Sequence, residues 1–169
     1  MQIRPTHPPD LLRILQTIND AARAYRNTIP ADCWHDPYMQ AEELTNEIND
    51  GVKFWAAEDN HQLIAVMGIQ DKPDVALIRH AYTATSHQGK GAGTKLLRHV
   101  TEQTKKPVLI GTWAAATWAI AFYQRNGFTL VSQADKERLL RKYWTIPARQ
   151  IETSVVLADE AWTNKQKTG

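Results

Sequence analysis

Residues 87–94 read His-Gln-Gly-Lys-Gly-Ala-Gly-Thr and lie between two apolar segments. The segment before them, residues 75–83, has the composition of a strand, and the segment after them carries Leu96 and Val100 at helical spacing. The pattern predicts a glycine-rich turn from a strand into a helix. Backbone N–H groups of such a turn and of the first helical turn form a concave site for a phosphate or pyrophosphate, and Lys90 adds a cation.

Three nucleotide-binding patterns are alternatives for these glycines. A P-loop requires Lys-Ser or Lys-Thr after its last glycine, and neither follows Gly93. A dinucleotide fingerprint requires G-x-G-x-x-G, whereas Gly89, Gly91 and Gly93 alternate with single residues. The pattern Gln/Arg-x-x-Gly-x-Gly/Ala is met by Gln88, Gly91 and Gly93. Taken by itself, this motif could also be a glycine-rich turn with a structural role and no ligand.

A second motif lies downstream, where residues 118–128 read Trp-Ala-Ile-Ala-Phe-Tyr-Gln-Arg-Asn-Gly-Phe. It is similar to the pattern A-x-x-F-Y-x-x-x-G-F. The two motifs, in this order and on matching elements, resemble the two signatures of the GNAT acyltransferases, which bind acetyl-CoA. The order of predicted elements from Ile3 to about Leu157 resembles the family as well. The chain departs from the family at Ala116, where many members place an asparagine, and at an additional helix over residues 134–144.

The element order β-α-α-β-β-β-α-β-α-β-α-β predicts an α/β (α+β) fold with one mixed, mainly antiparallel sheet and helices on both faces. Asp36 and Pro37 are interpreted as the N-cap and first residue of the second helix, which would bury Ala41, Leu44 and Ile48. The last strand is predicted over residues 149–157. The sequence is divided into a GNAT-like domain, 1–157, and a polar C-terminal tail, 158–169, expected to be frayed.

Composition supports one globular domain. The chain has 169 residues, 43% of them hydrophobic and 22% charged, which excludes a disordered or collagen-like protein. A formal net charge of +2 disfavours a nucleic-acid partner. The single cysteine, Cys33, excludes an internal disulfide and a multi-cysteine metal site, and no metal is predicted. Without a signal peptide or membrane span in the sequence, we predict a cytoplasmic protein with no membrane partner.

The resemblance implies acetyl-CoA as co-substrate. The glycine turn would hold the pyrophosphate, and freed N–H groups at the end of the preceding strand would bind the pantetheine arm and polarise the thioester oxygen. The cofactor-binding residues implied in this way are Ala81, Tyr82, Thr83, Gln88, Gly89, Lys90, Gly91, Ala92, Gly93, Thr94, Ala119, Phe122 and Arg125.

Tyr123 stands where the family carries a general acid. A phenol with an ordinary pKa of about 10 can protonate a departing thiolate of similar basicity. The alternative is a buried tyrosine with a packing role. Family members often place a basic Glu or His at positions that correspond here to Leu77 and Arg79, and neither of these can act as a base. His80, which strand alternation directs away from the face of Arg79, and Glu58 are the other candidates; a packed histidine is the preferred reading of His80.

The segment between the first two helices is rich in aromatic and functional side chains. In the family layout this connection lines the acceptor cleft, so Trp34 and Tyr38 would form an aromatic wall and His35 a polar contact or a base. A hydrophobic staple around the second helix is the equally weighted alternative. Arg79 would suit an acidic group of the substrate, or else form a surface ion pair.

The function implied is transfer of an acetyl group from acetyl-CoA to a primary amine of a small molecule or protein, directly in a ternary complex. The alternative is a catalytically weak acyl-CoA-binding sensor or scaffold, which the lack of an obvious base favours and the retained Tyr123 disfavours. Exposed sheet edges would allow a homodimer.

Overall fold

The structure is a computed structural model that describes all 169 residues. It is mixed α/β, with seven strands and seven α-helices, and the sheet is mostly antiparallel, as predicted. The strands are β1 (Gln2–Pro5), β2 (Val52–Asp59), β3 (Gln62–Asp71), β4 (Ala76–Thr83), β5 (Val108–Trp113), β6 (Thr129–Leu130) and β7 (Ser154–Ala158). The helices are α1 (Leu11–Ala22), α2 (Ala41–Asn49), α3 (Ala92–Thr101), α4 (Thr117–Arg125), α5 (Gln133–Tyr143), α6 (Ala148–Glu152) and α7 (Glu160–Thr168). None of these helices is both long enough and apolar enough to cross a membrane.

The chain divides into two compact units. The first unit comprises Met1–Ala24, His35–Asp71 and Ile78–Lys105. The second comprises Tyr25–Trp34, Lys72–Leu77 and Lys106–Gly169.

The first unit carries helices on both faces of its strands. β2 is hydrogen-bonded between β1 and β3, antiparallel to both. Phe54 of β2 and its neighbours on the same face pack with Ile14 and Ile18 of α1 and Leu44 of α2. Trp55, the next residue along β2, points to the opposite face, where its ring lies 4.4 Å from the ring of His99 on α3. The prediction that helices cover both faces is therefore confirmed in this unit.

The second helix differs from its prediction. α2 begins at Ala41 with Gln40 as its N-cap, and the Asp36–Pro37 peptide bond is cis and lies in the preceding loop. Leu44 is fully buried, but Ile48 is 37% exposed and Ala41 is exposed as well. The expectation that all three are buried is wrong because α2 has only nine residues and buries a single position of its apolar stripe.

The second unit is built around β7, which lies between β5 and β6 and is antiparallel to both. The additional helix predicted before the last strand is present as α5. The Ser132 side chain caps it by accepting a hydrogen bond from the Asp135 backbone N–H at 3.1 Å. Leu139 and Leu140 of α5 pack with Leu109 of β5 in the core of this unit.

The C-terminal region differs from its prediction in two places. Residues 148–152 form α6, so the last strand begins at Ser154 and is shorter than predicted. The buried Lys136 ammonium donates to the Ile151 carbonyl at 2.7 Å and holds the end of this helix. The residues after Ala158 are not frayed, because Asp159 caps α7 and Trp162, only 8% exposed, packs into the core of the second unit.

A partly buried ion network connects the start of the chain to β2. The Arg4 guanidinium contacts Asp10 and Glu58, each at 2.8 Å. The hydrogen bond from Arg4 is the main cause that lowers the pKa of Asp10 to about 2 from an ordinary 3.8, and the His7 backbone N–H also donates to this carboxylate. Glu58, one of the residues that the sequence offers as a base, is therefore paired with Arg4.

We expect Asp10→Asn to lower the pH dependence of stability at acid pH. Because folding lowers the pKa of Asp10, its stabilisation is present above pH 3.8 and is lost as the pH falls towards 2. The free energy of unfolding should therefore fall by at most about 2 kcal/mol more in the parent protein than in the variant across this window. Urea unfolding at several pH values measures it, with Asp36→Asn, in an exposed loop, as the control. Parallel curves for parent and Asp10→Asn would contradict the prediction.

Candidate active site

The glycine turn has the backbone conformation that its sequence predicts. Gly89 and Gly91 have φ angles of +74° and +83°, in the left-handed region that glycine adopts without steric cost. Gly91 is the N-cap of α3, and a Cβ at either glycine would meet no protein atom within 4 Å. Gly93 lies inside α3. Two left-handed residues in three turn the chain sharply and leave open space beside the helix N-terminus.

The same turn presents unbonded donors. The N–H groups of Gly89, Lys90 and Gly91 donate to no protein acceptor, and the first helical hydrogen bond to the turn runs from Lys95 to the Gly91 carbonyl at 3.2 Å. The N–H groups of the first turn of α3 have no partner within a helix either. These donors follow one another along the chain and carry the positive end of the helix dipole, which is the arrangement that binds a pyrophosphate.

Side chains fix the turn to the rest of the first unit. The Thr85 N–H donates to the Asp20 carboxylate of α1 at 2.7 Å, and this backbone hydrogen bond is the main cause that lowers the pKa of Asp20. The Gln88 amide donates to the Thr83 carbonyl at 3.1 Å, and the Lys90 ammonium donates to the Ser86 carbonyl at 3.2 Å. An open groove of about 360 Å³ runs between α1 and this turn. The sequence carried no signal for the role of Asp20.

The end of β4 lies directly before the turn. Ala81, Tyr82 and Thr83 are half-buried, and the chain then forms a single 3-10 turn, Thr85–His87. His80 just before them has a φ of +54°, which is unusual for a non-glycine residue inside a strand. The left-handed residue interrupts the alternation of side chains along β4.

This interruption changes the predicted orientation of His80. Alternation would place Arg79 and His80 on opposite faces, but both contact the carboxylate of Glu47 on α2. The Arg79 guanidinium lies 3.3 Å from one oxygen, and His80 Nε2 is hydrogen-bonded to the other. The prediction of opposite faces is wrong because the left-handed φ at His80 rotates its side chain to the face of α2.

Two further contacts define this cluster. Arg79 also donates to the Gln70 side chain of β3 at 3.0 Å, and the Gln70 amide in turn donates to the Asp50 carbonyl at 3.0 Å. The His80 ring lies 6.1 Å from the ring of Phe54 and 6.5 Å from that of Tyr82. Arg79, predicted to contact an acidic substrate, thus has its guanidinium between two side chains of the protein. Glu47 was missed, since nothing marks it among the acidic residues of α2.

The predicted acceptor segment falls in both units. In the first unit, the His35 and Tyr38 rings stack at 5.9 Å, and His35 Nδ1 lies 3.0 Å from the Pro37 carbonyl oxygen. The Asn19 side chain of α1 holds both backbone groups of Met39, at 2.7 Å to the N–H and 2.9 Å to the carbonyl. In the second unit, half-buried Trp34 follows a 3-10 turn, Ala31–Cys33.

Tyr123 is the buried tyrosine of α4 in the second unit. It is 6% exposed, and its ring packs against Phe122 at 5.1 Å and Phe128 at 6.1 Å between ring centroids. Burial raises the pKa of its hydroxyl, and no hydrogen bond from the protein opposes that shift. The pKa of the hydroxyl therefore lies above that of an ordinary phenol, and the hydroxyl has no protein partner, whereas buried tyrosine hydroxyls usually have one.

The other predicted cofactor residues of the second unit share α4 with Tyr123. Ala119 and Phe122 are half-buried and Arg125 is exposed, at helical spacing along one side. Ala116, the N-cap of α4, is fully buried and makes no side-chain cap. No group of three or more His, Cys, Asp or Glu side chains is placed to hold a metal ion.

Comparison with known proteins agrees with this architecture. Residues 50–130 match the family model of the acetyltransferase (GNAT) domain. A GNAT-family acetyltransferase from Staphylococcus aureus superposes with a TM-score of 0.70 at 19% identity, over 94% of this chain and 97% of that one. The PaiA N-acetyltransferase from Thermoplasma acidophilum, solved with coenzyme A, gives 0.71 at 17% identity, with the same coverage of 94% and 97%.

A third structure, a GNAT-family acetyltransferase from Elizabethkingia anophelis with acetyl-CoA bound, gives a TM-score of 0.61 at 20% identity, over 94% of this chain and 97% of that one. No curated protein sequence matches the chain. The matched family model over residues 50–130 and the fold of these neighbours both agree with the two sequence motifs.

Proposed function

We propose that this protein is an acetyl-CoA-dependent N-acetyltransferase that acts on a primary amine. The observation that carries the proposal is the run of unbonded N–H groups over Gly89–Gly91 and the first turn of α3. This run is separated from the end of β4 by a single 3-10 turn, Thr85–His87, and a pyrophosphate bound there would lead the pantetheine arm along Ala81–Thr83. Structural neighbours crystallised with coenzyme A or acetyl-CoA support this cofactor.

Acyl transfer to an amine requires a polarised thioester, a neutral amine and a stabilised leaving thiolate. Backbone N–H groups at the end of β4 polarise the thioester carbonyl, a contribution of several kcal/mol when such donors are preorganised. Tyr123 protonates the departing sulfur: burial keeps its unpartnered hydroxyl in the protonated form that a general acid requires, although the raised pKa also makes it a weaker acid than an ordinary phenol. Coenzyme A leaves as the thiol after direct transfer in a ternary complex.

The acceptor is a primary amine of a small molecule or of a protein, and His35, Tyr38 and Trp34 contribute to its site. Two neighbours at 19% and 17% identity are described as ribosomal-protein-alanine N-acetyltransferases, from Brucella melitensis and Escherichia coli, which supports amine acceptors for this fold. The stacked rings of His35 and Tyr38 provide a flat apolar surface with a polar edge. A cytoplasmic location and a homodimer stay predictions from the sequence.

Two measurements test this function. Acetyl-CoA at about 100 times its Kd should stabilise the protein by about 2.7 kcal/mol and raise the melting temperature by roughly 5 to 10 °C. A panel of small amines and peptide N-termini, incubated with acetyl-CoA and a thiol reagent, should release coenzyme A. Stabilisation without release by any amine would instead favour the acyl-CoA sensor, and no stabilisation would contradict both functions.

A further inference from the structure

Glu47, Arg79 and His80 form a cluster that takes no part in the proposed binding of the pyrophosphate or protonation of the thiolate. All three side chains are largely buried, at 18%, 17% and 14% exposure. They join α2 to β4 one residue before the backbone that we propose to bind the thioester. A left-handed φ at His80 is needed to bring the imidazole to this position, and unusual backbone of this kind is concentrated at functional sites.

The hydrogen bonding of His80 is asymmetric. Nε2 is hydrogen-bonded to the Glu47 carboxylate, which accepts only, so Nε2 carries the proton in the neutral ring. Nδ1 has no hydrogen-bond partner in the protein. It is not fully buried either, because His99 Nε2 is the only fully buried side-chain nitrogen or oxygen that lacks a partner. The free lone pair of the ring is therefore at Nδ1, on the side facing away from Glu47.

The charges around the ring favour an ionised Glu47. Burial raises the pKa of the Glu47 carboxyl, but the hydrogen bond with His80 and the electrostatic interactions with His80 and Arg79 lower it by more, so the net shift is downward. Besides Glu47 on α2, the titratable or charged groups facing the ring are Arg79 and Tyr82 of β4, while β2 presents Phe54. A carboxylate on Nε2 stabilises the imidazolium that forms when Nδ1 takes up a proton.

Resting on the proposed function, we propose that His80 is the general base for the acceptor amine, taking its proton at Nδ1, and that Glu47 is a positioning residue that fixes the ring and its tautomer. Arg79 holds the Glu47 carboxylate from the other side and keeps one of its oxygens on Nε2. The imidazole takes the proton and the carboxylate orients the imidazole, as the histidine and the carboxylate do in hydrolytic triads.

An ammonium acceptor gives one proton to Nδ1, and the neutral nitrogen attacks the thioester carbon with its lone pair. The C–N bond forms, the C–S bond breaks, and sulfur leaves with the bonding pair and receives the Tyr123 proton. The second proton lost by nitrogen restores the Tyr123 hydroxyl. The proton on His80 passes to solvent after the products leave.

The test replaces His80 by asparagine, which tolerates a left-handed φ and has no titrating ring. We expect kcat/KM at pH 7 to fall by about 100-fold, within the range for a lost general base, with the Kd of coenzyme A unchanged by calorimetry. The deficit should shrink below tenfold near pH 10, where an alkylamine is substantially neutral. His61→Asn is the matched control, because exposed His61 also has a left-handed φ, of +63°, and its variant should retain full activity.

Glu47→Gln tests the positioning role. Glutamine still accepts from Nε2 but carries no charge, so we expect kcat/KM to fall by about tenfold in the parent and not at all in the His80→Asn background. Glu43→Gln, one turn earlier on the exposed side of α2, should change neither rate. A Glu47→Gln effect of equal size in both backgrounds would show a purely structural role and overturn the assignment of Glu47.

The outcomes separate the two proposals. A parent protein that acetylates no amine overturns the proposed function, and the base assignment falls with it. A parent protein that transfers acetyl groups while His80→Asn matches it at pH 7 overturns only the base assignment. A deficit in His80→Asn that is the same at pH 7 and pH 10 also overturns it, because a packing defect is not relieved by deprotonating the substrate.

Discussion

Gly91→Ala should weaken the binding of coenzyme A by about 100-fold. A methyl group at a φ of +83° strains the backbone by roughly 1–2 kcal/mol, and the chain relieves this strain by rotating its peptide units. Rotation turns N–H groups of the turn away from the pyrophosphate. Loss of two charge-assisted hydrogen bonds of about 1.5 kcal/mol each gives the expected factor, which isothermal calorimetry measures.

Gly51→Ala is the matched control for this substitution. Gly51 also has a left-handed φ, +98°, and open space around its Cβ position, but it lies in the turn between α2 and β2. Both variants should therefore lose similar thermal stability, while only Gly91→Ala loses affinity. Equal affinities for coenzyme A in the two variants would mean that the glycine turn does not hold the pyrophosphate.

Tyr123→Phe should lower kcat by about 100-fold or more while leaving the Kd of acetyl-CoA unchanged. The substitution removes one oxygen from a side chain packed between Phe122 and Phe128, so the fold is preserved. Without the hydroxyl the leaving thiolate receives no proton from the enzyme, and general acid catalysis contributes roughly 10²–10⁴-fold to the rate. Because burial raises the pKa of Tyr123, the parent should show no loss of rate from Tyr123 ionisation up to about pH 10. Steady-state kinetics over pH 6–10 measures both effects.

Tyr143→Phe provides the comparison, since Tyr143 is 8% exposed and its hydroxyl donates to Asp74 at 2.7 Å. Loss of that hydrogen bond should cost about 1 kcal/mol of stability and leave kcat unchanged. A Tyr123→Phe enzyme with the kcat of the parent would assign Tyr123 to packing alone, the alternative that its sequence context left open.

The parts of the fold predictable from sequence are those with a local physical cause. The turn at Gly89 and Gly91 follows from residues that alone adopt a left-handed φ freely, and the strand and helix around it follow from apolar spacing. The additional helix α5 was predictable for the same reason, since Leu139 and Leu140 mark one apolar side.

The parts that escaped prediction depend on contacts distant in sequence. His80 is left-handed without being glycine, and its partner Glu47 lies 33 residues earlier. α6 replaces the start of the predicted strand where Lys136 reaches the Ile151 carbonyl, and α7 forms where Trp162 finds the core of the second unit. Hydrophobic periodicity shows which side of an element is apolar, but it does not show which distant residues pack against that side.

The double hydrogen bond between Asn19 and the backbone of Met39 has a consequence for engineering acceptor choice. It fixes the end of the connection before α2 through backbone atoms of Met39. These two hydrogen bonds do not involve the side chains of the residues that precede Met39. His35 and Tyr38 are joined to each other by ring stacking, upstream of Met39. The side chains of exposed residues 35–37 can therefore be varied in a library while Tyr38, which packs against the core, and the anchoring of the following helix are retained.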